Sequence, residues 1–422
     1  MPRHLKRGMD ASAIKAADAK VRETVEGILA QVEERKDAAI RDLSKQFDNW
    51  APKDFRLSPA EIEHAIAQVP KRDLDDIKFA QAQVRNFAQK QKDTMRDLEV
   101  ETLPGVILGH RHIPVNAIGC YVPGGRYPMV ASAHMSIVTA KVAGVKRIIA
   151  CAPPFRGAPH PAIVAAMHFG GADEIYVLGG VQAVAMMALG TGSVEAVDMI
   201  VGPGNAYVAA AKREVFGRVG IDSIAGPSEI LVVADGANDP AWIAADLLSQ
   251  AEHDASSQSV LITDDGPFAD SVAAEVERQL AVLPRRDIAG RAWQDHGAII
   301  VVGRLEDAAA LVDAIAPEHL EIATADPPAF FARVKHAGAV FLGRHTPEAI
   351  GDYIAGPNHV LPTSRNARFS SGLSVLDFLK RTSVASCDAE ALSRLGPAAL
   401  ALAQAEGLAA HGRSIAIRLN RK

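Results

Sequence analysis

The sequence predicts an α/β protein in which helices cover parallel β-sheets. Two observations predict this class. From Gly119 onwards, short apolar runs alternate with stretches of helical periodicity, over residues 117–201 and again over 229–342. Turns rich in glycine and proline follow several of these runs or precede a new element. A strand–helix–strand order of this kind is typical of parallel sheets wrapped by helices.

The chain begins with a region that we expect to be mainly helical, from about residue 12 to residue 116. Apolar residues recur at helical spacing over 21–41. Residues 58–61 form a helix start, with an N-cap serine, a proline at the first helical position and an acidic first turn. A long polar helix is expected over 74–96, and its charged residues are most simply a solvated face.

Two segments supply the candidate elements of the sheets. In the first, the predicted strands are Ala117–Val122, Val145–Ala152, Glu174–Leu178 and Ala196–Val201, and the predicted helices are Ser132–Ala143, Ala162–Phe169 and Val181–Leu189. In the second, the predicted strands are Glu229–Ala234, Val260–Thr263, Ala298–Val302 and Ala339–Phe341, with helices over Pro240–Leu248 and Pro267–Leu283.

The tail from about Gly372 is rich in alanine and predicts helix. It ends in an alternating segment, Ser414–Leu419, which predicts a short final strand. Such a tail docks on a partner subunit or packs on its own domain, and the sequence alone favours neither.

Composition limits the class of protein. The 422 residues suffice for two or three domains, and a net charge of −5 with a pI near 6.3 gives no sign of nucleic-acid binding. No apolar run reaches about 18 residues, so no membrane span is expected, and the basic start lacks the apolar stretch of a secretory signal. Cys120, Cys151 and Cys387 are widely spaced, which suits a reducing cytosol and predicts a cytoplasmic protein. Cys120 is interpreted as a small buried side chain, with a reactive thiol as the alternative.

Glycine- and proline-rich turns punctuate the α/β region at 121–125, 179–182, 202–205 and 225–229. In open α/β sheets, ligands bind at the carboxyl ends of the strands, where glycine lets the backbone approach them closely. One such turn is most simply a structural corner. Several turns together, with Gln182 and Asn205 just beyond the glycines, favour a cofactor cleft. No GxGxxG is present, so the usual dinucleotide fingerprint is absent.

A possible metal site is spread over the second half of the chain. Gln250 and His253 lie three residues apart at the end of a predicted helix, and so share one face. An amide oxygen is an unusual ligand, and the pair alone is more simply a polar helix end. Together with Asp352 and His411, the pair would form a mixed nitrogen and oxygen site that suits zinc and a substrate ligand. Spacing alone does not decide between these interpretations.

Glu318 and His319 are adjacent groups that could transfer protons. On a strand their side chains would face opposite ways, whereas in a turn they could converge. An ordinary loop pair is the alternative.

Taken together, the motifs resemble those of the histidinol dehydrogenase family. They are YVPGG at 121–125, GGVQA at 179–183, GPGNAYVAAAKR at 202–213, AGPSEILVVAD at 225–235, DLLSQAEHD at 246–254, APEHLEI at 316–322, GDYIAGPNHVLPT at 351–363, SSGLSVLDFLKR at 370–381 and AEGLAAH at 405–411. The resemblance covers nearly the whole chain, in the family's order.

The resemblance implies an intertwined homodimer with two Rossmann-like α/β domains. The implied parts are an N-terminal arm (1–20), a discontinuous zinc and substrate domain (21–118 plus 230–371), an inserted NAD domain (119–229) and a helical tail (372–422) that completes the partner's active site.

The resemblance also implies roles for individual residues. The implied zinc ligands are Gln250, His253, Asp352 and His411 of the partner subunit, and Glu318 and His319 are the implied acid/base pair. The implied substrate contacts are Ser228, His359 and Glu406, and the implied NAD contacts are Tyr121, Gln182 and Asn205. The implied reaction is a four-electron oxidation of a primary alcohol, through a bound aldehyde, to a carboxylate.

The substrate is left open by the first half of the chain. Residues 105–150, with Arg126 and His134, resemble the sulfopropanediol dehydrogenase branch of the family. Basic groups near the pocket would favour a sulfonate or carboxylate over the cationic histidinol. Alternatively, Arg126 is solvated and His134 caps a helix. We expect a small anionic diol, with L-histidinol as the close alternative and a non-catalytic zinc-binding scaffold as a third.

Overall fold

The structure, a computed structural model, describes residues 3–4, 11–124, 127–224 and 226–420, with side chains from residue 19 onwards. The strands are β1 (Arg3–His4), β2 (Leu98–Leu103), β3 (Val106–Pro114), β4 (Ala117–Tyr121), β5 (Arg147–Ala152), β6 (Glu174–Val177), β7 (Met199–Val201), β8 (Gly220–Ile221), β9 (Glu229–Ala234), β10 (Gln258–Thr263), β11 (Ala298–Val301), β12 (His319–Ala323), β13 (Ala339–Leu342) and β14 (Leu379–Cys387).

The helices are α1 (Ala11–Arg35), α2 (Asp37–Asp48), α3 (Pro59–Ala67), α4 (Lys71–Asp93), α5 (Val130–Ala133), α6 (Thr139–Ala143), α7 (Pro161–Gly170), α8 (Gly180–Leu189), α9 (Ala206–Val215), α10 (Pro240–Ala251), α11 (Gly266–Leu280), α12 (Arg286–His296), α13 (Ala308–Ile315), α14 (Pro327–Phe331), α15 (Glu348–Ile350), α16 (Ala389–Ala405) and α17 (Ala409–Arg418). A π-helical turn, His134–Val138, joins α5 to α6, and a second one, Gly351–Ala355, follows α15. Within the described ranges, each helix is too short or too polar to cross a membrane.

Two parallel sheets confirm the predicted α/β class. The five-stranded sheet has the order β6-β5-β4-β7-β8, and all its pairs are parallel. The six-stranded sheet has the order β1-β11-β10-β9-β12-β13, in which only the two-residue edge strand β1 is antiparallel. In both sheets the first long strand lies in the middle and the order reverses beside it, as in Rossmann-like folds.

Burial on both faces explains why the central strands read as continuous apolar runs. All five residues of β4 are buried, as are five of the six residues of β9. Helices on both sides of each sheet remove these side chains from water, which is the dominant favourable term in folding. Most predicted strands of both segments therefore fall within two or three residues of the observed ones.

A central strand of the six-stranded sheet was not predicted. His319–Ala323, which we had considered only as a possible loop or strand pair with Glu318, forms β12 and pairs with β9 and β13. Its run of five is short and contains His319 and Glu321, both buried, so apolar periodicity could not reveal it.

A third sheet also lay outside the prediction. β2 and β3 form an antiparallel hairpin, and β14 pairs with β3 along nine residues from Leu379–Pro114 to Cys387–Val106. The expectation of helix up to residue 116 is therefore wrong beyond Asp93. The predicted final strand, Ser414–Leu419, is also wrong, because most of it belongs to α17. Its alternation arises on a helix that is exposed over most of its length.

The N-terminal helices pack against the five-stranded sheet. Val25 and Ile28 of α1 share a core with α8, and Ile77 and Val84 of α4 share another with Ile118 of β4. The division expected above instead grouped these helices with residues 230–371. That division stays a prediction, because the core shared by α4 and β4 also includes Val360 of the segment 230–371.

Candidate active site

The site is built around His319, the first residue of β12. Its Nδ1 lies 2.9 Å from the backbone oxygen of Glu229, at the start of the neighbouring strand β9. The Glu229 backbone N–H donates to Glu318 Oε2 at 2.9 Å. One residue of β9 therefore fixes both side chains, and Glu318 Oε2 lies 3.6 Å from His319 Nδ1. The two groups converge because Glu318 precedes the strand instead of lying on it.

A second set of acidic side chains faces the other nitrogen of His319. Its Nε2 lies 3.4 Å from Asp352 Oδ1 and 4.0 Å from Glu348 Oε1, and it has no hydrogen-bond partner. One ligand atom from each of these three residues lies within 4.8 Å of the others, so the group could hold a metal ion. We did not foresee Glu348, although its position four residues before Asp352 on a helical turn was a usable signal.

Gln250 provides the strongest sign of a missing ligand. Its side chain lies at the end of α10, is fully buried, and neither polar atom has a hydrogen-bond partner. An unsatisfied buried amide costs about 1–3 kcal/mol. His253 lies one turn further on; its backbone oxygen accepts from the Tyr127 hydroxyl at 3.0 Å. Burial lowers the pKa of His253 to about 4, against the opposing charge of Asp352. A neutral imidazole of this kind is ready to bind a metal.

His359 continues the cluster on the other side of Asp352. Its Nδ1 lies 3.1 Å from the Asp352 backbone oxygen, and its Nε2 lies 3.2 Å from Ser132 Oγ. His134 lies nearby and is buried, with its Nδ1 3.1 Å from the Gln81 amide nitrogen. Burial, with a smaller contribution from His359, lowers the pKa of His134 to about 4. His134 therefore carries no charge at neutral pH.

Burial and crowded carboxylates dominate the electrostatics. Burial raises the pKa of Glu318 to about 8 and, together with the charge of Asp352, raises the pKa of Glu348 to about 8. Burial alone would lower the pKa of His319, but the carboxylates of Glu318 and Asp352 outweigh it and raise the pKa to about 10. Without a metal ion, the His319 imidazole therefore carries a proton.

These residues fit a divalent cation. A cation beside Asp352 would offset the carboxylate charge that holds the proton on His319, and it would give the buried Gln250 amide oxygen a partner. Imidazole, carboxylate and amide oxygen together suit zinc better than a soft metal.

The implied NAD residues meet at the carboxyl edge of the five-stranded sheet. Tyr121 ends β4, and its hydroxyl accepts from the Gly180 backbone N–H at 3.1 Å, at the start of α8. The Gln182 side chain, also in α8, is buried and donates to Asp48 Oδ2 at 3.1 Å. Asn205 follows β7 and caps α9, because its Oδ1 accepts from the backbone N–H of residues 207 and 208. β4 and β7 flank the point where the strand order reverses, which is where such sheets bind ligands.

The cluster around His319 lies at the amino edge of a sheet instead. Glu229 and His319 are the first residues of parallel strands, so the cluster occupies the amino edge of the six-stranded sheet. The rule that ligands bind at the carboxyl ends of the strands therefore holds for the implied NAD residues but not for the implied acid/base pair, Glu318 and His319. Short contacts bring the two regions together, including Tyr127 to His253 and Ser132 to His359.

Within the described residues, the remaining sequence candidates make no hydrogen bond or ion pair with the cluster. The Ser228 side chain is partly exposed at the start of β9, while its backbone oxygen accepts from the Gln258 N–H. Glu406 and His411 are exposed on the tail, and neither makes a hydrogen bond or ion pair with the cluster in the described part of the chain. Arg126 lies outside the described residues.

An α/β fold whose strands bring an imidazole–carboxylate cluster next to a dinucleotide-type sheet edge defines an oxidoreductase. The chain belongs to the histidinol dehydrogenase family, whose model matches residues 12–419. This family oxidises an alcohol to an acid.

Similar proteins agree with this assignment. A histidinol dehydrogenase of Rhodospirillum rubrum is 56% identical over 95% of this chain and 93% of that protein. A histidinol dehydrogenase homolog of Shouchella clausii is 50% identical over 100% of this chain and 99% of that protein. The crystal structure of histidinol dehydrogenase from Elizabethkingia anophelis is 36% identical and superposes with a TM-score of 0.89, covering 99% of this chain and 94% of that one.

Proposed function

We propose that the chain oxidises a primary alcohol to a carboxylate through a bound aldehyde, with two molecules of NAD+ and one zinc ion per site. The buried, unpaired Gln250 amide carries this proposal, because the neighbouring residue Ser249 donates to Glu348 of the cluster at 3.1 Å. When bound, zinc fixes the substrate oxygen and stabilises developing negative charge, and NAD+ accepts each hydride.

His319 and Glu318 divide the proton transfers. A bound cation would offset the carboxylate charge and leave His319 without its extra proton. In the first step, the neutral His319 then removes the hydroxyl proton of the alcohol as the hydride leaves its carbon. In the second step, Glu318 takes a proton from the water that adds to the aldehyde, and the hydrate loses the second hydride. Burial raises the pKa of Glu318 to about 8, which suits a base that works near neutral pH. Glu318 and His319 converge through Glu229, so both can serve one carbon atom.

We propose L-histidinol, an amino alcohol with a cationic ammonium group, as the substrate. The acidic side chains Glu318, Glu348 and Asp352 lie around His319, and none of them offers the cationic donor that a sulfonate prefers. The expectation of an anionic diol rested partly on His134, which is neutral and bonded to Gln81. The names of the similar proteins also support histidinol.

An NADH absorbance assay with zinc and NAD+ tests both the reaction and the substrate. We expect turnover of L-histidinol with two NADH formed per molecule consumed. Turnover of dihydroxypropanesulfonate but not of histidinol would refute the proposed substrate and restore the anionic diol. No turnover of either, with zinc bound, would favour the non-catalytic scaffold.

We further propose that the active protein is a homodimer in which Glu406 and His411 of the partner subunit complete each site. Both residues are exposed on the tail of the protomer. The tail follows β14, in a three-stranded sheet whose exposed apolar side chains are Leu98, Val100, Leu103, Ile107, Leu108, Ile113 and Val384. The strand register places these side chains on both faces of the sheet, and exposed apolar surface of this kind favours a protein interface. An isologous dimer would exchange the two tails.

A further inference from the structure

A buried ion pair lies beneath the turn that ends β7. Lys212 of α9 and Asp222, which follows β8, are paired side chains with exposures of only 2% and 3%. Neither residue belongs to the cluster around His319 or to the implied contacts with NAD.

The pair holds both hydrogen-bonding groups of a single glycine. Lys212 Nζ donates to the Gly202 backbone oxygen at 2.9 Å, and the Gly202 N–H donates to Asp222 Oδ2 at 2.7 Å. The other carboxylate oxygen accepts from the Ser223 N–H at 2.7 Å. The ion pair therefore fixes both the N–H and the carbonyl oxygen of Gly202.

Gly202 in turn fixes the place where β7 meets β4. Its φ of +113° is in the left-handed region, and a Cβ there would lie 2.1 Å from the Tyr121 backbone oxygen. No other residue fits this position, so the turn 202–205 must pass directly against the end of β4. Asn205 begins α9 three residues later, and Lys212 lies two turns further along the same helix.

Stability alone is a weak reason for such a pair. Removing two charges from water costs several kcal/mol per ion, and apolar replacements of buried pairs are often neutral or stabilising. An apolar pair could not make the hydrogen bonds to the N–H and the carbonyl oxygen of Gly202, which lies at the point where the strand order reverses.

We propose that Lys212 and Asp222 are a positioning pair for the dinucleotide: they hold the turn 202–205 and Tyr121 in the arrangement that binds it. This inference rests on the proposed NAD function. The pair touches no reacting atom, so it acts on dinucleotide affinity and leaves zinc binding and the acid/base pair unchanged.

Titration of NADH by its fluorescence, on the zinc-loaded protein, tests the pair directly. We expect Lys212→Met to raise the Kd for NADH about 10-fold or more, because the turn 202–205 would no longer hold its contacts to the dinucleotide in place. Asp222→Asn, which keeps an acceptor oxygen but loses the charge, should raise the Kd less. Steady-state kinetics should show a higher KM for NAD+ with a nearly unchanged KM for the alcohol.

Glu174→Gln is the matched control. It breaks the partly buried Arg147–Glu174 pair of the same sheet, between β5 and β6. We expect it to lower the melting temperature but to change the Kd for NADH less than about twofold. Wild-type NADH affinity in folded Lys212→Met or, should that variant not fold, in Asp222→Asn would overturn the positioning role. Failure of the wild-type protein to bind NADH, with zinc bound, would instead refute the dinucleotide assignment on which it rests.

Discussion

Replacement of Gln250 by methionine should stabilise the zinc-free protein while removing a proposed zinc ligand. The Gln250 side chain is fully buried with both polar atoms unpaired. Such a group costs about 1–3 kcal/mol, and methionine fills a similar space with no polar atom to satisfy. We therefore expect the free energy of unfolding of the chelated protein to rise by about 1–3 kcal/mol in Gln250→Met.

Zinc should reduce this difference in the free energy of unfolding. A ligand that binds only the folded state adds about 2.7 kcal/mol at a hundred times its Kd. Wild type should gain this stabilisation, and Gln250→Met, with one ligand fewer, should gain less. Urea denaturation at one protein concentration, with chelator and then with zinc, measures both effects.

Gln81→Met is the matched control for this experiment. Gln81 is also buried, but its amide donates to His134 Nδ1 and to the Ala166 backbone oxygen. The same substitution there removes hydrogen bonds, so it should destabilise the protein with or without zinc. The reasoning is refuted if Gln250→Met destabilises the chelated protein as Gln81→Met does, or if it binds zinc with unchanged affinity.

Other predictions concern proton transfer, pH and thiol reactivity. Glu318→Gln should spare the first hydride transfer and slow the second; equal losses in pre-steady-state NADH traces from alcohol and from aldehyde would contradict that division. The pKa of His134 is lowered to about 4 by burial, below its ordinary value near 6.5. His134 therefore binds a proton in the unfolded chain at pH values where it stays neutral in the folded chain. The free energy of unfolding falls as the pH drops from about 6.5 towards 4. His134→Leu should remove about 2 kcal/mol of the stability lost between pH 7 and pH 5, measured by denaturation at both pH values; an unchanged pH dependence would show that His134 is protonated in the fold. Ellman's reagent should label Cys387 alone in the native chain, because Cys120 and Cys151 are buried and burial raises the pKa of Cys120 to about 12. Fast labelling of a second thiol would contradict this burial.

The sequence predicts the elements whose residues are apolar on a regular period. Strands such as β4 and β9 are buried on both faces and were recognised from composition alone. β12 was missed because this central strand contains His319 and Glu321, and these two polar residues interrupt the apolar run that identifies a buried strand. β2, β3 and β14 were missed because none of their residues is buried in the protomer, so they lack a buried stripe.

The site shows the same division. Local spacing indicated Gln250 with His253, and adjacency indicated Glu318 with His319. No local pattern could place Asp352 3.4 Å from His319, because the two residues are 33 positions apart in the chain. The pairing of β12 with β13 and the hydrogen bond from the Glu348 N–H to Glu321 bring them together. Glu229 was missed because its backbone N–H and carbonyl oxygen, and not its side chain, contact Glu318 and His319. A pattern of side chains does not predict such backbone contacts.

The central claim is that each site needs two subunits, and subunit complementation tests it most directly. His411→Asn and Asp352→Asn should each abolish activity as homodimers. When the two variants are mixed in equal amounts, unfolded and refolded, about half of the dimers should be heterodimers. Each heterodimer has one intact site out of two, so activity should recover to about a quarter of wild type. No recovery, in mixtures where heterodimers are shown to form, would contradict the shared site.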